Sequence, residues 1–185
     1  MPENGLQMVL TAAAFAAERH RFQRRKDADA SPYINHPLEL ARILAEEGGV
    51  TDPEVIVAAL LHDTVEDTET TPAEIEEKFG ARVAGMVAEV TDDKSIIDKQ
   101  LRKDLQVRNA PGKSHGAKLV KLADKIANLR DILARPPKDW AEAQKAQYFH
   151  WSADVVAGLR GAHPGLEARF DAVHAQGLNA FSDAA

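Results

Sequence analysis

Helical periodicity runs through almost the whole chain and is the feature that most restricts its fold. Apolar residues recur at the three- and four-residue spacing of one helix face. The segments with this spacing lie at about 5–22, 37–47, 52–61, 71–80, 81–90, 95–109, 114–133, 138–160 and 164–177. No segment convincingly shows the two-residue alternation of a half-buried strand. The sequence therefore predicts a single all-α domain over residues 1–185, a helical globule of about nine helices.

Proline and glycine residues divide these helices. Ser31-Pro32 forces extended backbone within a loop predicted at 24–35. Gly48-Gly49 end the second helix, and Pro136-Pro137 stop the long helix that begins near residue 114. Thr71-Pro72-Ala73-Glu74 is typical of a capping box with proline at the first helical position.

Composition excludes several kinds of chemistry. The 185 residues contain no cysteine, which excludes disulfides, a thiolate zinc site, iron–sulfur ligation and a cysteine nucleophile. The net charge of −6 argues against a nucleic-acid partner, which usually needs a basic surface. The first residues lack the pattern of a signal peptide, and no apolar run approaches about 18 residues. We therefore expect a cytoplasmic protein without a membrane-spanning helix, while the sequence leaves its oligomeric state open.

His62-Asp63 directly follows the most apolar helix, which contains the run VIVAALL at 55–61. Burying charge there without a partner is costly, and a divalent cation such as Mn²⁺, Fe²⁺ or Zn²⁺ is one suitable partner. The alternative is a helix end wetted by two polar residues. Glu66 and Asp67 follow three and four residues after Asp63, so one further helical turn would place them on its face.

Two more positions are candidate ligands. His36 stands just before a proline at a predicted helix start, where it is either a ligand or part of the helix cap. Asp124 lies at the edge of the apolar face of the helix at 114–133, and Lys121 and Asn128 share its side. That side is either a solvated face or a surface that presents one carboxylate to a metal ion.

Taken in order, His36, His62-Asp63 and Asp124 form the H…HD…D signature of HD-domain metal-dependent phosphohydrolases. Four segments extend the resemblance: RRKDADASPYINHP, AALLHDTVEDT, EVTDDK and GAKLVKLADKIANLRD. They resemble the hydrolase domain of RelA/SpoT proteins, and especially the small stand-alone alarmone hydrolases of the metazoan SpoT-homologue type. The similarity covers residues from about 13 to 178.

The resemblance implies an enzyme that hydrolyses the 3′-pyrophosphate of guanosine tetra- and pentaphosphate to GDP or GTP and pyrophosphate, with Mn²⁺ as cofactor. It implies three sets of site residues. These are the metal ligands His36, His62, Asp63 and Asp124, the catalytic acidic pair Glu66 and Asp67, and the substrate-binding residues Arg25, Lys26, Tyr33 and Asn128. For Lys26, a solvated loop lysine stays an alternative.

Two other functions are compatible with the same residues. One is a phosphatase that removes the 2′-phosphate of NADPH at the same site, as the resemblance to the metazoan proteins implies. The other is a nucleotide-binding module without catalysis. The complete ligand set and both acidic residues disfavour that module, because a degenerate site usually loses one of them.

Overall fold

The computed structural model describes residues 4–181, and within them the chain is all-α, with no β-strand. The helices are α1 (Gly5–Arg19), α2 (Asn35–Arg42), α3 (Pro53–Leu61), α4 (Thr64–Asp67), α5 (Pro72–Phe79), α6 (Ala81–Val90), α7 (Lys99–Asn109), α8 (His115–Ala134), α9 (Glu142–Ala157) and α10 (Pro164–Phe181). A π-helical turn, Ile43–Glu47, extends α2, and a 3₁₀ turn, Ala110–Gly112, follows α7. Without α4, which is a single turn, residues 4–181 form nine α-helices, and this agrees with the predicted number. The ends of the predicted domain, residues 1–3 and 182–185, lie outside the described residues.

Two central helices organise the core. Every residue of α3 from Val55 to Leu61 is buried, and the helix packs against α1, α2, α6 and α8. In turn, α8 contacts α2, α3, α6, α9 and α10. The end of α3, the start of α2 and the middle of α8 therefore lie close together inside the protein. None of the helices in residues 4–181 has both the length and the apolar character needed to cross a membrane.

Two helix starts are capped by residues that the sequence indicates, but only half of the capping box predicted at Thr71 forms, because the Glu74 carboxylate pairs with Arg19. The hydroxyl of Thr71 accepts the N–H of Glu74 at 3.2 Å, and the carboxylate of Asp52 accepts the N–H of Glu54 at 3.1 Å. Gly80 separates α5 from α6 with φ of +88°, a conformation that favours glycine. These local signals explain why the bounds of α3, α5 and α6 agree with the sequence.

The predicted start of α7 at residue 95 is wrong by four residues. Asp98 caps α7, because its carboxylate accepts the N–H groups of Gln100 and Leu101. The predicted end of α1 at residue 22 is also wrong. Helix α1 ends at Arg19, because three-residue turns follow it: the carbonyl of Glu18 accepts the N–H of Arg21, and the carbonyl of His20 accepts the N–H of Gln23.

The last two helices also differ from their predicted bounds. Helix α9 begins at Glu142 instead of 138, because Pro137 opens a turn in which its carbonyl accepts the N–H of Trp140. It ends at Ala157 instead of 160, where three-residue turns follow. Helix α10 continues to Phe181, past the predicted end at 177. Its last turn packs on the core through Phe181, whose ring lies 5.5 Å from that of Phe149.

Candidate active site

Three of the predicted metal ligands converge in the interior. His36 lies in the first turn of α2, His62 follows the last residue of α3, and Asp124 lies in the middle of α8. One ligand atom from each lies within 4.8 Å of the others, and all three residues are buried. His36 Nε2 is 3.3 Å from Asp124 Oδ1. Two imidazole nitrogens and a carboxylate oxygen form a donor set that could hold a divalent cation.

The orientation of His62 supports this interpretation. Its Nδ1 lies 2.8 Å from the carbonyl oxygen of Ala59, and because a carbonyl only accepts, Nδ1 donates. Its Nε2 is buried and has no hydrogen-bond partner among residues 4–181, although Asp63 Oδ2 lies 2.8 Å away in poor alignment. A buried nitrogen without a partner is costly in a folded protein. A cation would satisfy this atom, so the residues present fit a metal site.

Asp63, the fourth predicted ligand, lies beside this cluster. Its Oδ2 is 4.0 Å from His36 Nε2 and accepts a hydrogen bond from the hydroxyl of Tyr33. Burial and the neighbouring Asp63 raise the pKa of Tyr33 above its ordinary value, so the phenol stays protonated and donates. The structure thus brings Asp63 to the site and ties it to a predicted substrate-binding residue.

Asp124 belongs to the interior and not to a solvated face. Asn128 Nδ2 donates to its Oδ1 at 2.6 Å, while Lys125 Nζ and Lys121 Nζ lie 3.5 and 3.9 Å from its Oδ2. Burial favours a raised pKa for Asp124, but the charge of Lys125 and the contact with His36 hold that pKa well below its ordinary value. The carboxylate is therefore ionised and ready to bind a cation.

Lys125 is a component of the site that the sequence interpretation missed. Its side chain is 2% exposed, and its ammonium lies 3.8 Å from the ring centroid of Trp151. Burial lowers its pKa to about 8. The spacing of residues could have predicted that Lys125 is buried. Lys125 lies three residues after Leu122 and four before Leu129, in the repeat of the buried face.

The predicted acidic pair occupies the single turn α4. Glu66 Oε2 accepts the N–H of Asp92 at 3.0 Å, and burial raises the pKa of Glu66. Asp67 is held on both oxygens, because Lys94 Nζ lies 2.5 Å from Oδ1 and Gln23 Nε2 donates to Oδ2 at 2.9 Å. Glu66 and Asp67 thus have separate partners outside the three-residue metal cluster.

A cavity of about 410 Å³ adjoins these groups. Asp67 lines this cavity. So do all four predicted substrate-binding residues, which are Arg25, Lys26, Tyr33 and Asn128. Trp140 and Tyr148 line it too, with ring centroids 5.6 Å apart, and the sequence interpretation missed both. The cavity therefore combines cationic, amide and flat aromatic surfaces.

The fold and the site define a class of protein: the chain belongs to the HD domain family, whose model matches residues 12–151. Among its relatives are proteins named guanosine-3′,5′-bis(diphosphate) 3′-pyrophosphohydrolase MESH1. The Xenopus tropicalis protein is 56% identical over 164 residues, which cover 89% of this chain and 91% of that one. The Homo sapiens protein is 57% identical over 159 residues, which cover 86% and 88%.

A solved structure agrees with this relationship. It is described as "A metazoan ortholog of SpoT hydrolyzes ppGpp and plays a role in starvation responses". It is 45% identical to this chain, covers 95% of it and 97% of its own length, and superposes with a TM-score of 0.89. The predicted all-α HD fold and the predicted membership among small RelA/SpoT-type hydrolases are both confirmed.

Proposed function

We propose that this chain hydrolyses the 3′-pyrophosphate of guanosine tetra- and pentaphosphate, yielding GDP or GTP and pyrophosphate. One observation carries the proposal: hydrogen bonds join the candidate metal cluster directly to the cavity lining. Tyr33 donates to Asp63, and Asn128 donates to Asp124. A nucleotide in the cavity would thus lie beside the candidate metal ligands. The names of the relatives support the same substrate.

In this proposal His36, His62 and Asp124, with Asp63 beside them, hold a divalent cation. A donor set of imidazole and carboxylate without thiolate is compatible with Mn²⁺, Fe²⁺ or Zn²⁺. Among these we propose Mn²⁺, the ion that the resemblance to RelA/SpoT-type hydrolases implies. When bound, such a cation polarises a phosphoryl oxygen and lowers the pKa of water. Lys125 and Asn128 keep Asp124 ionised and oriented for this role.

Glu66 and Asp67 serve the proton transfers. As the water oxygen bonds to the phosphorus attached to the 3′ oxygen, the bond between that phosphorus and the 3′ oxygen breaks. One carboxylate takes a proton from the water, and the other, in its protonated form, gives one to the departing 3′ oxygen. The raised pKa of Glu66 brings that group closer to neutral pH, where a proton is exchanged most efficiently. Arg25 and Lys26 supply positive charge at the cavity wall, which suits a polyanionic nucleotide.

A second substrate, NADPH, is favoured by one observation. The cavity wall presents the flat surfaces of Arg25, Trp140 and Tyr148. Stacking on such surfaces tolerates any base, so adenine would be accepted along with guanine. Removal of the 2′-phosphate would then use the same metal cluster.

Product analysis tests these proposals. The purified protein is incubated with Mn²⁺ and guanosine tetraphosphate, or with Mn²⁺ and NADPH, and a chelator-treated sample is the control. Pyrophosphate from the first nucleotide supports the alarmone reaction, and orthophosphate from the second supports the phosphatase. Binding of both nucleotides without any product would contradict both and indicate a binding module.

A further inference from the structure

Gln23 connects Asp67 to His20, a buried histidine outside the site described above. It lies in the loop between α1 and α2, and its Nε2 donates to Asp67 Oδ2 at 2.9 Å. Its Oε1 lies 2.6 Å from His20 Nδ1. Because a carboxylate and an amide oxygen both accept, the amide NH₂ must face Asp67 and His20 must donate from Nδ1. The chain of donors runs from His20 through Gln23 to Asp67.

His20 is buried in the core, where it contacts both Gln23 and Tyr33. The residue is 2% exposed, and within residues 4–181 its Nε2 has no hydrogen-bond partner. Its ring packs on Tyr33, with centroids 4.8 Å apart, and Tyr33 donates to Asp63. One buried imidazole thus supports both Asp67, through Gln23, and Asp63, through Tyr33.

Asp67 needs such support because of where it lies. Its helix, α4, has four residues, and one isolated helical turn has little stability of its own. Its other partner, Lys94, has a side chain that is 50% exposed. Gln23 is less exposed and is fixed at its far end by His20, so it is the better anchored of the two partners.

We propose that Gln23 is a positioning residue that holds Asp67 in its reactive orientation, and that His20 fixes the direction of the Gln23 amide. This inference rests on the proposed role of Asp67 in hydrolysis. A carboxylate that exchanges a proton must stay within hydrogen-bond reach of its partner. Losing a hydrogen-bond partner of a metal ligand typically costs 10- to 100-fold in activity or metal affinity, and we expect an effect of that order for a catalytic carboxylate beside the candidate metal cluster.

Two substitutions at Gln23 test the proposal with guanosine tetraphosphate and Mn²⁺. Gln23→Glu keeps the acceptor for His20 but replaces the donor to Asp67 with a repelling charge, and Gln23→Leu removes both. Gln23 also lines the cavity, so the two variants differ in their expected KM. We expect Gln23→Leu to lower kcat about 10- to 100-fold with KM and bound metal unchanged. Gln23→Glu should lower kcat as much and also raise KM, because it brings a negative charge to the cavity wall. The matched control is Gln100→Leu, which removes an exposed amide bonded to Asp104 on α7 and leaves kcat unchanged.

A rise in KM with unchanged kcat would place Gln23 on the substrate and overturn the proposal, as would an unchanged kcat in both variants. The Asp67→Asn background separates this inference from the proposed function. Adding Gln23→Leu there should have little further effect, because the carboxylate to be positioned is gone. Full turnover by Asp67→Asn itself would refute the role of Asp67. A large loss of kcat in Asp67→Asn, together with full turnover in the Gln23 variants, would refute only the positioning role of Gln23.

Discussion

Arg25 and Asp131 form an ion pair, with 2.7 Å between Nη2 and Oδ2, that joins the loop before α2 to α8. The same nitrogen donates to Asn128 Oδ1 at 3.2 Å, and Asn128 donates to Asp124. Positions 124, 128 and 131 lie on one face of α8 at helical spacing. One face of α8 thus carries both the carboxylate of the candidate metal cluster and the ion-pair partner of Arg25.

This arrangement predicts the effect of Arg25→Ala. The variant should raise KM for guanosine tetraphosphate more than it lowers kcat, because a cationic cavity wall stabilises bound substrate and transition state alike. Steady-state kinetics give both constants. Arg21→Ala is the control, since Arg21 pairs with Glu18 on the surface and does not line the cavity. An unchanged KM with a collapsed kcat would instead place Arg25 at the reacting phosphorus.

Asp124→Ala should abolish metal binding and activity, because it removes the carboxylate of the three-residue cluster. Elemental analysis measures the bound metal directly. In addition, Mn²⁺ should raise the melting temperature of the wild type but not of the variant, since ligand binding stabilises the folded state. Asp131→Ala, on the same helix, should keep its metal. Wild-type metal content in Asp124→Ala would contradict the ligand assignment.

Glu66→Gln should lower kcat by about 10²-fold or more while metal stays bound, because the substitution keeps shape but removes the proton acceptor. Kinetics and elemental analysis on the same preparation separate the two effects. Glu69→Gln, an exposed position just beyond α4, is the matched control. Metal loss in Glu66→Gln would make Glu66 a ligand.

The sequence predicted those parts of the molecule that depend on local chemistry. Capping residues such as Thr71 and Asp52 act within one turn, so α3, α5 and α6 were predicted with nearly correct bounds. The candidate ligands carried a recognisable spacing. By contrast, Lys125 and Gln23 acquire their roles from contacts with Trp151 and Asp67, which depend on how distant segments pack.

Away from the site, Glu47 should make stability depend on pH. Its carboxylate accepts two hydrogen bonds from Arg130, at 2.6 and 2.9 Å, and these lower the pKa of Glu47. Its contribution is therefore complete above the ordinary carboxyl pKa of about 4.3 and is lost as pH falls through the lowered value.

Glu47→Gln should accordingly reduce stability by about 1 kcal/mol at neutral pH, roughly 2–4 °C in melting temperature. At acidic pH Glu47 of the wild type is protonated and therefore uncharged, like the glutamine of the variant. The difference in stability between the two proteins should then shrink. Thermal melting at the two pH values checks this. Glu46→Gln removes a neighbouring exposed carboxylate bonded to Arg42 and should change the melting temperature much less. A constant deficit at every pH would exclude an ionic origin.

Two helical glycines should respond in opposite directions to alanine. At Gly177 in α10, a Cβ atom would lie 1.8 Å from the ring of the buried Phe149, so Gly177→Ala should destabilise the protein by about 1–3 kcal/mol. At Gly85 in α6 the same atom would meet nothing within 4 Å. Gly85→Ala should therefore stabilise by about 0.5–1 kcal/mol. Denaturant unfolding of each variant measures its free energy of unfolding. A lower free energy of unfolding for Gly85→Ala than for the wild type would contradict the open space at that position.

The three ligands of the metal cluster also set an order of events during synthesis. Almost half of the chain separates His36 from Asp124. The two histidines leave the ribosome well before α8 is made, so a nascent chain first presents only part of the candidate cluster. Folding before that point would depend on apolar contacts such as those of α3, and all three candidate ligands come together only once α8 has formed.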